Sequence, residues 1–296
     1  MADRAYVSAA WVSADSVALS YDPGDGNMRL VVVSPRTGDE RAVDIPPKDC
    51  QYRYLTTLTR LPTGELGLTD VCGTPGRESE TTELRALDIE RGTTRSLGRT
   101  DQPTFDISWR HDMTAVYSAG DDLCSTLYQR DEVDTPLDLE VTVSGQRFSI
   151  GQDLASSPER CPLGGRASHP AHSPDGQMLA FLASANAGAR GQERLDLPWT
   201  LFVTDDEGPP MEVLRGIRHP GDVAWLADGR TLLFSGNVAD RQGVWQVATD
   251  GSQLTVVAEL HPAQMTLSPD GAELLAVVAR AANQDTDRLA VVDLSE

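Results

Sequence analysis

The chain has 296 residues, 40% hydrophobic and 5% aromatic, with a formal net charge of -20 at pH 7. This composition belongs to a globular chain and excludes disorder. The charge argues against nucleic acid or an anionic membrane as partner, since both would repel it. No stretch approaches the ~20 apolar residues that cross a bilayer, so no direct membrane insertion is expected.

Met1-Ala-Asp-Arg4 lacks the apolar core of a leader peptide. Two expectations follow: a cytoplasmic protein, or an exported domain whose leader or anchor lies outside this sequence. The chain has four cysteines, Cys50, Cys72, Cys124 and Cys161, none in a C-x-x-C pair, which disfavours zinc and thioredoxin chemistry. Cys50 and Cys72 flank one hairpin, and Cys124 and Cys161 flank one long insertion. Disulfides Cys50–Cys72 and Cys124–Cys161 are the expectation, and they fit an oxidising, extracytoplasmic compartment.

In chain order, one unit recurs. Trp11 to Asp15 leads into an apolar strand from Val17 to Tyr21, a third strand from Met28 to Val33 and a fourth from Arg41 to Ile45. A second copy begins near Tyr52 and turns at Pro62-Thr-Gly64. A third holds Asp106, Trp109 and His111-Asp112, with its fourth strand expected within Leu137 to Ser149. After a Pro/Gly/Ser-rich loop, Gly151 to Ala167, the fourth copy is built on Ser173-Pro-Asp-Gly176, with an insertion from Asn186 to Leu197. The fifth runs Asp222-Val-Ala-Trp225-Leu-Ala-Asp228-Gly229 into Phe234-Ser235. The sixth turns at Ser268-Pro-Asp-Gly271 and ends in Leu289 to Asp293.

Each copy is four short strands over roughly 40–50 residues, with no helical periodicity. A four-stranded unit cannot bury both faces alone, so stacked copies read as propeller blades. The expected fold is all-β, one six-bladed β-propeller domain over 1–296 with four-stranded antiparallel blades. The blades are expected near 9–46, 52–98, 103–150, 168–216, 218–259 and 261–296, with residues 4–8 as an N-terminal strand closing the last blade.

The Trp/Ser-Pro-Asp-Gly-x-x-Leu-Ala-Phe pattern, clearest in Pro170 to Phe181, Val223 to Phe234 and Met265 to Val278, resembles the repeat of the TolB-like (PD40, WD40-like) β-propellers. It also resembles the propeller domains of prolyl oligopeptidases. Ser13-Ala-Asp15, Pro62-Thr-Gly64 and His111-Asp112-Met113 depart from it. The resemblance implies a non-catalytic, often extracytoplasmic scaffold for a protein, peptide or small ligand, with the Asp capping the turn and the aromatic packing between blades. Fold alone does not fix function.

Ligands of a propeller meet the ends where innermost strands begin. Three residues before each Trp or its equivalent stand Ser8, Thr56, Asp106, His169, Asp222 and Gln264, all polar, and these are the expected ligand-binding set. His219-Pro220 and His261-Pro262 add imidazoles, so His169, His219, His261 and Asp222 form a candidate site for a divalent metal ion, the one cofactor the sequence suggests. Against it stands the plain reading that His-Pro starts an extended segment. The alternative function is therefore a metal-assisted lyase or hydrolase, or a glycan-active enzyme, at the same mouth; no catalytic residue is assigned. Asp25-Gly26 and Asp121-Asp122 lack the spacing of a calcium loop, and G-x-S-x-G and H-E-x-x-H are missing. His111 and His172 read as structural. Trp11, Trp109, Trp225 and Trp245 read as core, Trp199 as a surface contact. The protein is expected to be a monomer.

Overall fold

The computed structural model describes residues 5–24, 27–45, 52–73, 81–100, 104–120, 124–153, 164–186, 196–205, 208–278 and 288–294. The Asp-Gly turns organise each sheet. In the Ser173–Gly176 turn, Ser173 Oγ donates to Asp175 Oδ1 (2.6 Å) and accepts the Met178 N–H (2.9 Å). Gly176 adopts φ +72°, a region that a Cβ disfavours. Ser268, Asp270 and Gly271 repeat these bonds. Where Leu226 replaces the serine, Asp228 accepts instead from the Arg230 and Thr231 N–H groups and from the Thr231 hydroxyl.

The serine hydroxyls hold the carboxyls of Asp175 and Asp270 below the ordinary aspartate range. A carboxyl with a lowered folded pKa adds stability that is present above its unfolded value and is lost as pH falls through the folded one. The urea midpoint is therefore expected to drop as pH falls below about 5 and on through the folded values, which lie under the ordinary aspartate value of about 4. The drop should be smaller in an Asp175→Asn, Asp270→Asn double variant; an unchanged drop would contradict this reading.

The architecture is all-β, a six-bladed propeller of antiparallel blades. It divides into two compact units, residues 1–104 with 262–296, and residues 105–261.

In the first unit, blade 1 is β1 (Ala5–Ser13), β2 (Ser16–Asp22), β3 (Arg29–Val33) and β4 (Glu40–Val43). Blade 2 is β5 (Tyr52–Arg60), β6 (Leu66–Gly73), β7 (Thr81–Asp88) and β8 (Thr93–Thr100). Blade 1 packs on blade 2 through Ala10, Ala18, Leu30, Leu55, Leu58 and Leu68. Its other face packs on blade 6 through Tyr6, Trp11, Leu19, Leu275 and Val277.

In the second unit, blade 3 is β9 (Thr104–Trp109), β10 (Ala115–Ala119), β11 (Thr126–Arg130) and β12 (Asp134–Pro136). A separate hairpin follows, β13 (Glu140–Val143) and β14 (Gln146–Ser149). Blade 4 is β15 (Gly165–His172), β16 (Met178–Ala185), β17 (Trp199–Asp205) and β18 (Met211–Ile217). Blade 5 is β19 (Val223–Trp225), β20 (Thr231–Val238), β21 (Arg241–Ala248) and β22 (Thr255–Ala258). Back in the first unit, blade 6 is β23 (Pro262–Leu267), β24 (Glu273–Val278) and β25 (Arg288–Asp293).

Three expectations need correction. Residues 5–8 do not close the last blade: Ala5 pairs with Asp22 and Tyr6 with Tyr21, and blade 6 shows three strands among the described residues. No turn residue stands between Tyr6 and Trp11 to hand the chain from one sheet to another, and β2 runs on to Asp22 to receive it. Tyr6 still joins the cluster that Leu289 packs against, by side chain alone. Second, the fourth strand of blade 3 is Asp134–Pro136, not within 137–149. Ser144 and Gly145, at φ +51° and +82°, instead turn 140–149 into its own hairpin. Third, Trp199 is buried at 6% exposure, with the Arg166 guanidinium 4.4 Å from its ring centroid. Trp11, Trp225 and Trp245 are core, as expected. Asp25-Gly26, Asp121-Asp122, Cys50, Cys161 and most of the insertion after Asn186 lie outside the described residues.

Candidate functional site at the first-strand starts

Neighbouring blades are joined at a fixed place in the repeat. The residue at the Trp position reaches back to the residue just before that position in the preceding blade. Trp225 Nε1–H donates to Ala171 O (2.8 Å) between blades 5 and 4. Trp11 Nε1–H donates to Thr266 O (3.2 Å) between blades 1 and 6. His172 occupies the same place between blades 4 and 3: its N–H donates to Ser108 Oγ (2.8 Å) and its Nδ1 lies 3.1 Å from that oxygen. His172 is thus structural, as expected.

Higher on the same strands, β1, β5, β15 and β23 each carry a bulge or register shift, between Tyr6 and Ser8, Leu55 and Thr57, Ser168 and Ala171, and Pro262 and Gln264. A bulge re-aims a side chain. In the first unit it turns the polar residues onto neighbouring main chain. Gln264 Oε1 accepts the Ala9 N–H (2.8 Å), Ser8 Oγ accepts the Leu58 N–H (2.7 Å), and the Thr56 hydroxyl donates to Thr104 O (3.2 Å). Ser8 is fully buried. These contacts satisfy main-chain groups on the open edge of the first strands, which the ladder to the second strand does not use.

The second unit uses the position differently. His169 Nδ1 of blade 4 lies 3.1 Å from Asp106 Oδ2 of blade 3, and the Ser118 hydroxyl donates to that same oxygen (3.2 Å). Burial alone would raise the Asp106 carboxyl. The charge and hydrogen bonds of His169, with the Ser118 hydroxyl, outweigh it and hold the group below the ordinary aspartate range. The two side chains keep 19% and 31% of their surface exposed, His169 and Asp106 respectively. His169 adopts φ +53°, left-handed and directly before Pro170. Holding a non-glycine residue there costs roughly 1–3 kcal/mol, and such residues cluster where a ligand is handled.

The remaining expected residues do not join this pair into a metal site. Asp222 Oδ1 accepts the Val223 N–H (2.8 Å) within its own blade. His219 is exposed at φ +46°. Burial, and then the charge of His219, push His261 below the ordinary imidazole value. Among the described residues no three His, Cys, Asp or Glu side chains are grouped to hold a metal ion. His169 belongs to the start of blade 4, His219 and Asp222 to that of blade 5 and His261 to that of blade 6, and His169 Nδ1 lies 3.1 Å from Asp106.

Sequence reasoning missed Ser118. A signal existed: Ser20, Thr69, Ser118 and Ser235 stand at one repeat position, four residues into the apolar second strand, and all are buried. At three of these four positions the hydroxyl bonds at a first strand or the residue before it, in its own blade or the next; Thr69 makes no such bond among the described residues. Ser20 Oγ donates to Leu55 O (3.2 Å), and Ser235 Oγ accepts the Asp222 N–H (2.9 Å).

The class defined by this architecture is the β-propeller, and comparison with known proteins agrees. No family model matches the chain, and no curated protein does. Among solved structures the chain is similar to TolB from Acinetobacter baumannii, with TM-score 0.57 and 13% identity over 90% of this chain; it spans only 57% of that protein's length. It is similar to an oligogalacturonate lyase in complex with manganese, with TM-score 0.56 and 15% identity over 94% of this chain and 74% of the other. It is also similar to an alpha-L-arabinanase from Penicillium chrysogenum complexed with arabinobiose, with TM-score 0.64 and 14% identity over 98% of this chain and 94% of the other. At such identities the likeness is one of fold.

Proposed function

We propose that this chain is a non-catalytic, TolB-like binding module that engages a segment of a protein or peptide at Asp106 and His169. The observation that carries the reading is the pair itself. An imidazole is held in a strained backbone conformation against an ionised carboxylate of the next blade, with both groups still partly open to solvent. The first unit spends the same repeat positions on backbone satisfaction. A formal net charge of -20 favours a partner segment bearing basic side chains.

Phe105, 37% exposed beside Asp106, offers a direct test. A photo-crosslinking benzoylphenylalanine in place of Phe105 should capture the partner from extract, and the same group in place of Val133 on blade 3 should not. Capture should vanish in His169→Gly. Equal capture at both positions would count against the site.

The second reading, an enzyme, rests on the same two residues: a carboxylate-oriented imidazole is the arrangement a general base needs. Mass spectrometry of the captured partner separates the readings. An intact partner supports binding alone; a cleaved or altered one supports catalysis.

The proposed compartment is extracytoplasmic. Neither Cys72 nor Cys124 is a free thiol, and the proposed pairs are Cys50–Cys72 and Cys124–Cys161. Thiol titration of the oxidised, denatured protein is expected to find no reactive thiol, whereas a stoichiometric thiol would point to the cytoplasm. The proposed state in solution is a monomer.

A further inference from the structure

Blade 6 ends on an open edge. Blades 1 to 5 each cover their third strand with a fourth, whereas among the described residues β25 is the last strand of its sheet. One repeat position shows what the cover does. Opposite Ser20, Thr69, Ser118, Leu182 and Ser235, the third strands carry Leu30, Leu84, Leu127, Leu201 and Val244, all at 1% exposure or less. Leu289 holds the same place in β25, opposite Val277, and is only partly buried. Two residues on, Val291 is 46% exposed.

The main chain is open at the same place. Leu294 N–H donates to Ala272 O (2.8 Å), and in an antiparallel pair the residues that exchange bonds alternate along the strand. Ala290 and Val292 therefore bond toward β24, while Leu289 and Val291 turn their N–H and C=O groups away from it. An apolar strand with such an edge is a template for a further strand.

We infer that β25 takes an extended, basic segment of a partner protein as the fourth strand of blade 6, paired antiparallel as the other fourth strands are. The protein's own fourth strands show the pattern that such a segment needs. In β18, Val213 and Ile217 are buried, while Met211, Glu212 and Arg215 are exposed. Apolar residues set opposite Leu289 and Val291 would lie on their face and cover them, with polar residues alternating between. Charge selects basic ones for those polar places. From 285 to 296 the sequence carries Asp285, Asp287, Asp293 and Glu296 against Arg288, in a chain of formal net charge -20. This edge is separate from the Asp106–His169 pair, and neither reading needs the other.

The test is fluorescence titration of the intact protein with a labelled, end-blocked hexapeptide of alternating valine and lysine. Antiparallel pairing puts the valines opposite Leu289 and Val291, with the valine N–H groups facing β25. N-methylation of the valines should therefore weaken binding at least tenfold, and N-methylation of the lysines should not. A peptide with glutamate in place of lysine should also bind at least tenfold more weakly. Bound peptide should slow amide exchange at Leu289 and Val291. Val291→Lys, which places a charge on the edge, should abolish binding. No binding at millimolar peptide, equal affinity of the two methylated peptides, or equal affinity of the lysine and glutamate peptides overturns the inference. So does a dimer of the protein alone that Val291→Lys dissolves, since a second copy would then hold the edge. The peptide series decides on the wild-type protein, whatever the stability of the variant.

Discussion

Asp70→Asn is expected to destabilise the protein by about 3–5 kcal/mol, the cost of breaking a buried ion pair by removing one partner. Asp70 is fully buried in β6. Its Oδ1 accepts from Arg53 Nε at 2.8 Å, and its Oδ2 accepts from a terminal nitrogen of Arg53 at 2.6 Å and of Arg85 at 3.0 Å. Both arginines are themselves 9% exposed. One carboxylate thus lies between two guanidinium groups, and asparagine would remove its charge from both, although Arg85 keeps its bond to the Thr94 hydroxyl. Glu65→Gln is the control: its partner Arg95 keeps 49% of its side chain exposed, so about 1 kcal/mol or less is expected. Urea unfolding of both variants at neutral pH measures the contrast. Equal small losses would mean that water reaches the Asp70 cluster. Replacing all three members by apolar residues of similar volume should be far milder than Asp70→Asn, because no unpaired charge remains.

Phe148→Ala should cost about 3–5 kcal/mol, the usual loss for a buried aromatic side chain. Phe148 is 5% exposed in β14 and is the largest side chain that the hairpin drives into blade 4. Its ring lies so close to Gly165 that a Cβ there would sit 2.2 Å from it, and a Cβ at Gly151 would meet the Leu137 backbone at 2.2 Å. Glycine at both positions therefore follows from close approach, not from an unusual φ. Gly151→Ala pushes on main chain that cannot rotate away, so it should cost about 1–3 kcal/mol as an overpacked site. Gly38→Ala, with nothing within 4 Å of its Cβ, would cost only what its φ of +76° imposes. Thermal or urea unfolding reads all three.

Much of the fold was legible because its signals are local. Ser173-Pro-Asp-Gly176 and its copies specify their turns within a few residues, and the spacing of those turns sets the blade count. Trp11 and Trp225 are readable because a large apolar side chain recurs at one place. The N-terminal strand was misassigned because its partner is chosen by length and register, and no residue near Val7 announces that choice. The expectation of one fourth strand somewhere within 137–149 overlooks the Ser144-Gly145 turn signal that makes a hairpin of 140–149. The shared repeat position of the six polar residues at the first-strand starts is legible in the sequence. Their shared position did not say which would bond main chain. Ser8 and Gln264 do so because the edge strand of the neighbouring blade turns a main-chain N–H toward them, whereas Asp106 finds an imidazole. The Arg53–Asp70–Arg85 cluster could not be read at all. Its members are 17 and 15 residues apart and meet only once the strands pair.

In the proposed function one repeat position serves two purposes: Ser8 holds blades together, and His169 meets the partner. Stability and partner affinity measured together on Ser8→Ala and His169→Gly test it most directly. Ser8→Ala leaves the buried Leu58 N–H without its acceptor and should lower stability by about 1–3 kcal/mol, with affinity unchanged. His169→Gly relieves the φ +53° backbone but also removes the imidazole that offsets the burial of Asp106, so its net effect on stability should be small while affinity falls at least tenfold. Loss of stability without loss of affinity in His169→Gly would contradict the account, because the histidine would then be one more brace between blades.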